Sequence, residues 1–257
     1  MGPRLVNSVQ ADPRQLAGIA AGRLARLAVA DNLVDANLTG HDSHGVGMLP
    51  RYIECVLSGE LMPNQHVEIL KDDGPMLMLE GGAGYGQVIG REAMDLGIER
   101  ARKFGVCVLT IRNSFHLCRI GAWAERCAAA GMVSMHYVNV LGRRPLVAPH
   151  GGGDARYGTN PYTCVLPATN DNPPVLLDMA TSMIAMGKVR VAKNKGEQVR
   201  EGALIDAEGQ ATTDPNVMYS DPCGSVLPFG EHKGYGMALI IEALSQGLGG
   251  HGRADPK

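Results

Sequence analysis

Residues 39–52 read TGHDSHGVGMLPRY and place His41, Asp42, Ser43 and His44 within four positions of each other. An imidazole can give a proton to a carbonyl oxygen or take one from a hydroxyl, and a neighbouring hydroxyl or carboxylate can fix its tautomer. The cluster His41-Asp42-Ser43-His44 is therefore read as an acid/base unit. Two histidines three apart can also begin a zinc site, but no third ligand stands at a recognisable spacing, so no metal is expected. A metal-dependent hydrolase using His41 and His44, and a plain polar turn joining two helices, are the other readings of the stretch.

Three further clusters combine polar residues with glycine. Asn113 to Gly121, NSFHLCRIG, follows an apolar run and opens a helix, where backbone N–H groups can hold phosphate, and it contains His116 as a second acid/base or cofactor-contact candidate. Tyr157-Gly158-Thr159-Asn160-Pro161 precedes LLDMATS (176–182), in which Asp178 ends an apolar strand and Thr181-Ser182 are expected to cap the next helix. Phe229 to Gly236, FGEHKGYG, sets His232-Lys233 at a helix start, where dipole, amides and ammonium all favour an anion. Taken singly, each of these is also explained by an ordinary loop or cap.

The elements that must carry these clusters follow from periodicity. Pro13 to Leu38 is helical, with Leu16, Ile19, Leu24, Leu27, Leu33, Val34 and Leu38 at three- and four-residue spacings, Asp31 able to restart a second helix, and Gly40 as the stop. A short helix over 52–57 closes at Ser58-Gly59, and LMPNQ (61–65) is a linker. Strands are predicted at 66–70 and 75–81, a helix over 87–104, a buried strand at 105–113, a helix over 121–130 and a second buried strand at 132–140. Further strands at 162–166, 174–178 and 204–206 and helices over 181–192 and 234–248 complete the α/β alternation.

Gly84, Gly86 and Gly90 spell GxGxxxG, close to a dinucleotide fingerprint. However, Ile111, Arg112 and Asn113 stand where a ribose-binding acid should end the next strand. A glycine turn opening a helix is the plainer reading.

Composition narrows the classes. A net charge of −2 without a basic stripe argues against nucleic-acid binding. No apolar run reaches the ~18 residues of a membrane span, and the N-terminus lacks a signal-peptide core. Six cysteines without a CxxC or paired framework are expected to be reduced thiols in a cytoplasmic protein.

Together GHDSHGVGMLPRY, RNSFHLCRIGAWAE, RYGTNPY, LLDMATSMIAMGKVRVA and LPFGEHKGYGMAL resemble the signatures of the malate/L-lactate dehydrogenase family of NAD(P)-dependent 2-hydroxyacid oxidoreductases, from about Leu24 to Gly250. The resemblance implies a mixed α/β, non-Rossmann fold: an N-terminal helical region over residues 1–65 carrying the Ser-His loop, and a cofactor domain over 66–257. It implies homodimers whose sites draw on both subunits, and NAD or NADP as cofactor, with NAD the first expectation. By the same resemblance the nucleotide is held by His116, Cys118, Arg119, Ile120 and Gly121, by Asn139, by Asp178-Met179-Ala180 and by His232-Lys233. Ser43-His44 lies at the reacting carbon, and some members give the acid/base role to the position of His116. Thr159 matches a substrate contact. Many members have an arginine where this chain has Met48, leaving Arg51 or Arg119 to anchor a 2-oxo acid's carboxylate. Family members also continue past the position of Lys257. A truncated, catalytically weak homologue acting as a binding or interaction protein is therefore the alternative expectation.

Overall fold

The structure, a computed structural model, describes residues 23–141 and 144–250. The helix expected from Pro13 is seen from Arg23 on, as α1 (Arg23–Leu38), while Leu16 and Ile19 lie outside the described residues. It runs through Asp31 without a second start. Only part of the apolar stripe is buried: Val29, Leu33 and Ala36 face inward, whereas Leu27, Val34 and Leu38 are exposed.

Two 3₁₀ turns, Asp42–His44 and Val46–Met48, lead into α2 (Leu49–Ser58). Pro50 suits the first turn of α2 because its missing N–H has no intrahelical partner there, and Gly59 ends the helix in the left-handed conformation at φ +78°. Val29, Leu33, Leu49, Tyr52, Cys55 and Leu61 then form one apolar cluster with Tyr85, Val88 and Cys118. The helical region is thereby packed onto α3 (Gly86–Phe104).

A first sheet has the order β1 (Glu68–Asp73), β2 (Met76–Glu80), β3 (Val108–Arg112), with β1 and β2 antiparallel and β2 and β3 parallel. Helix α3 is the crossover between β2 and β3, and Leu77 and Leu79 pack with Ala93 beneath it. The run 105–113 was expected as a buried strand; only 108–112 is extended, and Val106 and Val108 are exposed.

The second sheet, β4 (Ser134–Tyr137), β5 (Tyr162–Leu166), β6 (Val175–Met179), is antiparallel throughout and follows α4 (Gly121–Ala129). Its two faces differ because strand residues alternate. Ser134, His136, Val165, Thr163, Leu176 and Asp178 share the face toward α4 by the pairing register. Met135, Tyr137, Leu166, Val175 and Leu177 are exposed on the other. The strand expected at 132–140 is therefore shorter and buried on one side only.

Helix α5 (Met186–Lys195) begins later than expected. It packs with a small sheet of order β8 (Ala211–Thr212), β7 (Leu204–Ile205), β9 (Ser225–Val226) around Val147, Val189, Leu204, Met218 and Val226. Helix α6 (His232–Gly249) ends the described chain. The result is a mixed α/β fold with an N-terminal helical region and, among the described residues, no doubly wound parallel sheet.

The GxGxxxG glycines serve packing. A Cβ on Gly86 would lie 2.1 Å from the His116 carbonyl oxygen, and one on Gly90 would lie 2.7 Å from the Trp123 ring. Gly86→Ala is expected to lower stability by about 3 kcal/mol, the upper end for overpacking, because a backbone carbonyl cannot swing aside. Gly97→Ala, in the same helix with only an ordinary contact at 3.6 Å, should instead stabilise by about 0.5–1 kcal/mol. Urea unfolding of the two variants measures both.

Candidate functional site

The His41–His44 turn is held from α1. Asn37 donates from Nδ2 to Asp42 Oδ1 at 2.5 Å and accepts the Val46 N–H at 2.8 Å. Asp42 thus serves as a partner of Asn37, and the imidazole next to it is oriented by Ser43, whose Oγ is 2.8 Å from His44 Nδ1. Burial is the largest influence on His44 and lowers its pKa below 6.5; the nearby His41 and Arg190 charges act the same way and Asp178 opposes them. Helix α5 closes on this turn from the other side, since a Cβ on Gly187 would sit 2.2 Å from Ser43 Cβ. His41 points elsewhere, its Nδ1 being 3.2 Å from the Thr39 carbonyl.

The His116 loop reaches the same place. Asn113 and Cys118, with φ of +51° and +59°, bracket it in left-handed conformations that few non-glycine residues adopt. His116 stacks on His44, with ring centroids 5.3 Å apart and an interplanar angle of 23°. Its Nδ1 is 2.8 Å from the Tyr52 hydroxyl.

Asp178 joins this loop to the second sheet. Its Oδ2 accepts the Gly121 N–H at 2.9 Å and its Oδ1 accepts the Thr163 hydroxyl at 2.7 Å. Thr181 was expected to cap a helix; instead its hydroxyl donates to the Thr159 and Asn160 carbonyls at 3.0 Å, and Ser182 donates to the Ile184 carbonyl. These bonds reach across the fold, so Thr159 is positioned by the segment after β6. The same segment holds the start of α6, since Phe229 N donates to the Thr181 carbonyl at 3.0 Å. The His232 and His150 rings meet edge to face 6.0 Å apart, and Lys233 is exposed beside them. All the sequence clusters are thus tied by hydrogen bonds or ring contacts into one region.

Several side chains face away from a ligand. Cys118 points inward to Tyr52 and Gln87, its thiol pushed up to about 11 chiefly by burial. Arg119 is 4% exposed and engages Glu125 at 2.9 and 2.6 Å and Asp35 at 2.7 Å. Ile120 is buried, so residues 118–120 have only backbone to offer a cofactor. Arg51 lies on the outer face of α2 with Glu60 at 2.9 Å and Glu54 at 3.4 Å, and Met48 packs against the first apolar cluster. Neither anchoring arginine expected from the sequence is available to a carboxylate without losing its partners.

Sequence reasoning missed Tyr52, Gln87, His136 and Arg190. His136 alternates onto the α4 face, with Ser134 Oγ 2.9 Å from its Nε2, and burial lowers its pKa to about 4. Only a period-two reading of 132–140 marks it. Arg190 lies one helical turn after Gly187, on the face that meets Ser43.

The residues present fit a nicotinamide nucleotide. Asn139 Nδ2, just after β4, is a buried donor without a hydrogen-bond partner among the described residues, the complement of a carboxamide oxygen. Lys233 at the N-terminal end of the 18-residue α6 suits phosphate. Among the described residues no three His, Cys, Asp or Glu side chains converge as metal ligands would, and no helix is long and apolar enough to cross a membrane.

The chain belongs to the malate/L-lactate dehydrogenase family, whose profile covers residues 22–256. The chain is 51% identical over 222 residues to hydroxycarboxylate dehydrogenase B of Escherichia coli K12, covering 86% of this chain and 61% of that protein. It is 41% identical to an L-lactate dehydrogenase of Cupriavidus necator, covering 89% and 65%. The chain therefore spans less than two thirds of the length of these relatives. Among solved structures, an E. coli structure of the malate/lactate dehydrogenase type superposes with a TM-score of 0.89 at 48% identity, covering 94% of this chain and 66% of that one. The sulfolactate dehydrogenase of Methanocaldococcus jannaschii superposes with a TM-score of 0.81 at 36% identity, covering 95% and 70%.

His136 makes stability pH-dependent. Its folded pKa lies below the unfolded 6.5, so the neutral ring contributes fully above 6.5, and that contribution is lost as pH falls toward about 4. The loss should reach about 3 kcal/mol at the acid end. Urea titrations at pH 7, 5.5 and 4 should show His136→Gln with a shallower decline than wild type.

Proposed function

We propose that this chain carries the redox site of an NAD(P)-dependent oxidoreductase that interconverts a small 2-oxo acid and its 2-hydroxy acid, working as a homodimer in the cytoplasm. The observation that carries the reading is the stacked His44–His116 pair, brought against the Asp178-anchored start of α4. The names of the relatives support the substrate class. All six cysteines are free thiols, in keeping with a reducing compartment, and the exposed apolar face of the second sheet offers a second copy a surface.

A bound nicotinamide nucleotide supplies or accepts the hydride. The proton is the protein's task. Ser43 occupies His44 Nδ1, leaving Nε2 for the substrate oxygen. Because burial depresses its pKa, His44 is neutral near pH 7, a base for the hydroxyl in oxidation and a strong acid once protonated in reduction. His116 is the second acid/base candidate. For the carboxylate we assign Arg190, whose charge is felt at His44 and which replaces the arginine absent at Met48. Asn139, Asp178-Met179-Ala180, His116 to Gly121 and His232-Lys233 would hold the nucleotide, with NAD expected ahead of NADP, and Thr159 would contact the substrate.

A mixture of small 2-oxo acids assayed with NADH and then NADPH tests the activity, and no oxidation above background with either cofactor would reject it. His44→Ala should cost about 10²–10⁴-fold in kcat. Near-normal turnover there, with loss in His116→Ala, would reverse the two roles. Arg190→Met should raise KM for the acid about 10–100-fold with a smaller effect on kcat, as losing a charged hydrogen bond does. The acid limb of the oxidation rate should fall below pH 6.5, since the pKa of His44 is lowered from that value.

A further inference from the structure

Tyr52 is fully buried in an apolar cluster, yet its hydroxyl has three polar neighbours. Gln87 Nε2 donates to it at 2.9 Å, His116 Nδ1 lies at 2.8 Å and Cys118 Sγ at 3.2 Å. Gln87 is itself 1% exposed, and the same amide nitrogen donates to Cys118 Sγ at 2.8 Å. The rings of Tyr85, Phe115 and His116 stand edge-on around the phenol, with centroids 5.8–6.0 Å away, which leaves it one orientation.

The directions of these bonds are constrained by the hydrogens available. Burial raises the Tyr52 pKa well above its ordinary 10, so the hydroxyl keeps its single hydrogen. Its oxygen already accepts from Gln87. The hydrogen therefore goes to Nδ1 or to the thiol sulfur, and the ring nitrogen is both nearer and the stronger acceptor. An Nδ1 that accepts a hydrogen bond belongs to a neutral imidazole with its proton on Nε2.

We infer that the buried series Gln87 to Tyr52 to His116 fixes His116 as the neutral Nε2–H tautomer, making Tyr52 and Gln87 positioning residues of the redox site. The inference rests on the oxidoreductase reading for its purpose and on the hydrogen bonds for its substance. It divides the labour of the two stacked rings: His44 moves the proton, and His116 offers a fixed N–H to the oxygen on which negative charge grows. Two rings stacked 5.3 Å apart would repel each other if both were charged, and a phenol donating to Nδ1 favours the uncharged form of one of them. It also accounts for the buried Gln87 amide that meets the Tyr52 hydroxyl beside the apolar cluster.

The test is long-range ¹H–¹⁵N NMR of the folded protein with ¹⁵N-labelled histidine and no cofactor, with the His116 ring signals assigned by their loss in His116→Gln. Wild type should show the Nε2–H pattern. Tyr52→Phe, which keeps the ring and removes only the hydroxyl, should show mixed tautomers and an upward shift of the His116 titration of about one pH unit. In the active enzyme the same variant should lower kcat about tenfold with KM changed less than twofold. An Nδ1–H pattern in wild type would overturn the inference, and that measurement needs no variant to fold. An Nε2–H pattern unchanged in Tyr52→Phe would overturn the role of Tyr52. Because the ring spectrum is read from the resting protein, it is separate from the redox reading, which an inactive wild type would reject.

Discussion

One carboxylate joins the parts of the site. Asp178 sits at the end of β6 and uses one oxygen on the Gly121 N–H and the other on the Thr163 hydroxyl. The first bond fixes where α4 begins, and so where the His116 loop must stop; the second ties that point to the middle of the second sheet. Gly121 has to be glycine, because a Cβ there would lie 2.5 Å from Asp178 Oδ2. The same negative charge opposes the burial-driven fall in the pKa of both His44 and His136. Asp178 therefore acts on both position and proton affinity in the site, although burial remains the larger influence on the two rings.

Beside this anchor one buried cation is neutralised in place. Arg119 lies almost wholly within the protein, and its guanidinium is met by Glu125 and Asp35, the latter 84 residues away in sequence. A buried cation in an incomplete pairing would be costly, so this group fastens α1 to the start of α4 rather than binding ligand. Arg190, on the helix packed against Ser43, carries a charge that reaches His44, as His41 does. Under the proposed reading the carboxylate-binding cation comes from α5, the histidines from the two loops, and the nucleotide-facing candidates, Lys233 among them, from the second sheet and α6.

Much of this was legible where the signal is local. Helices α2, α3, α4 and α6 follow from apolar spacing and from glycines able to take the left-handed cap, and the Ser43-His44 and His116 motifs were apparent as residue types. The failures share a cause. GVCVLTIRN and MVSMHYVNV are continuous apolar runs, and composition alone cannot distinguish a strand buried on both faces from one whose outer face is exposed. Thr181 looked like a cap because caps are local, whereas its hydroxyl serves carbonyls 21 and 22 residues earlier in the chain. Gly84, Gly86 and Gly90 have phosphate-loop spacing, yet they admit a glutamine side chain, a carbonyl and an indole. Tyr52 and Gln87 carry no motif, since each becomes polar machinery only when a helix 35 residues away packs against it.

The pairing of β6 with β5 has a further meaning. Thr163 faces Asp178 only because Tyr162 pairs with Met179 and Cys164 with Leu177. Moving β6 by one residue would turn Asp178 outward among the exposed apolar side chains and bring a leucine or methionine against the start of α4. The chemical face and the oily face of this sheet are thus a single parity choice, and an inserted or deleted residue in the strand would exchange them together.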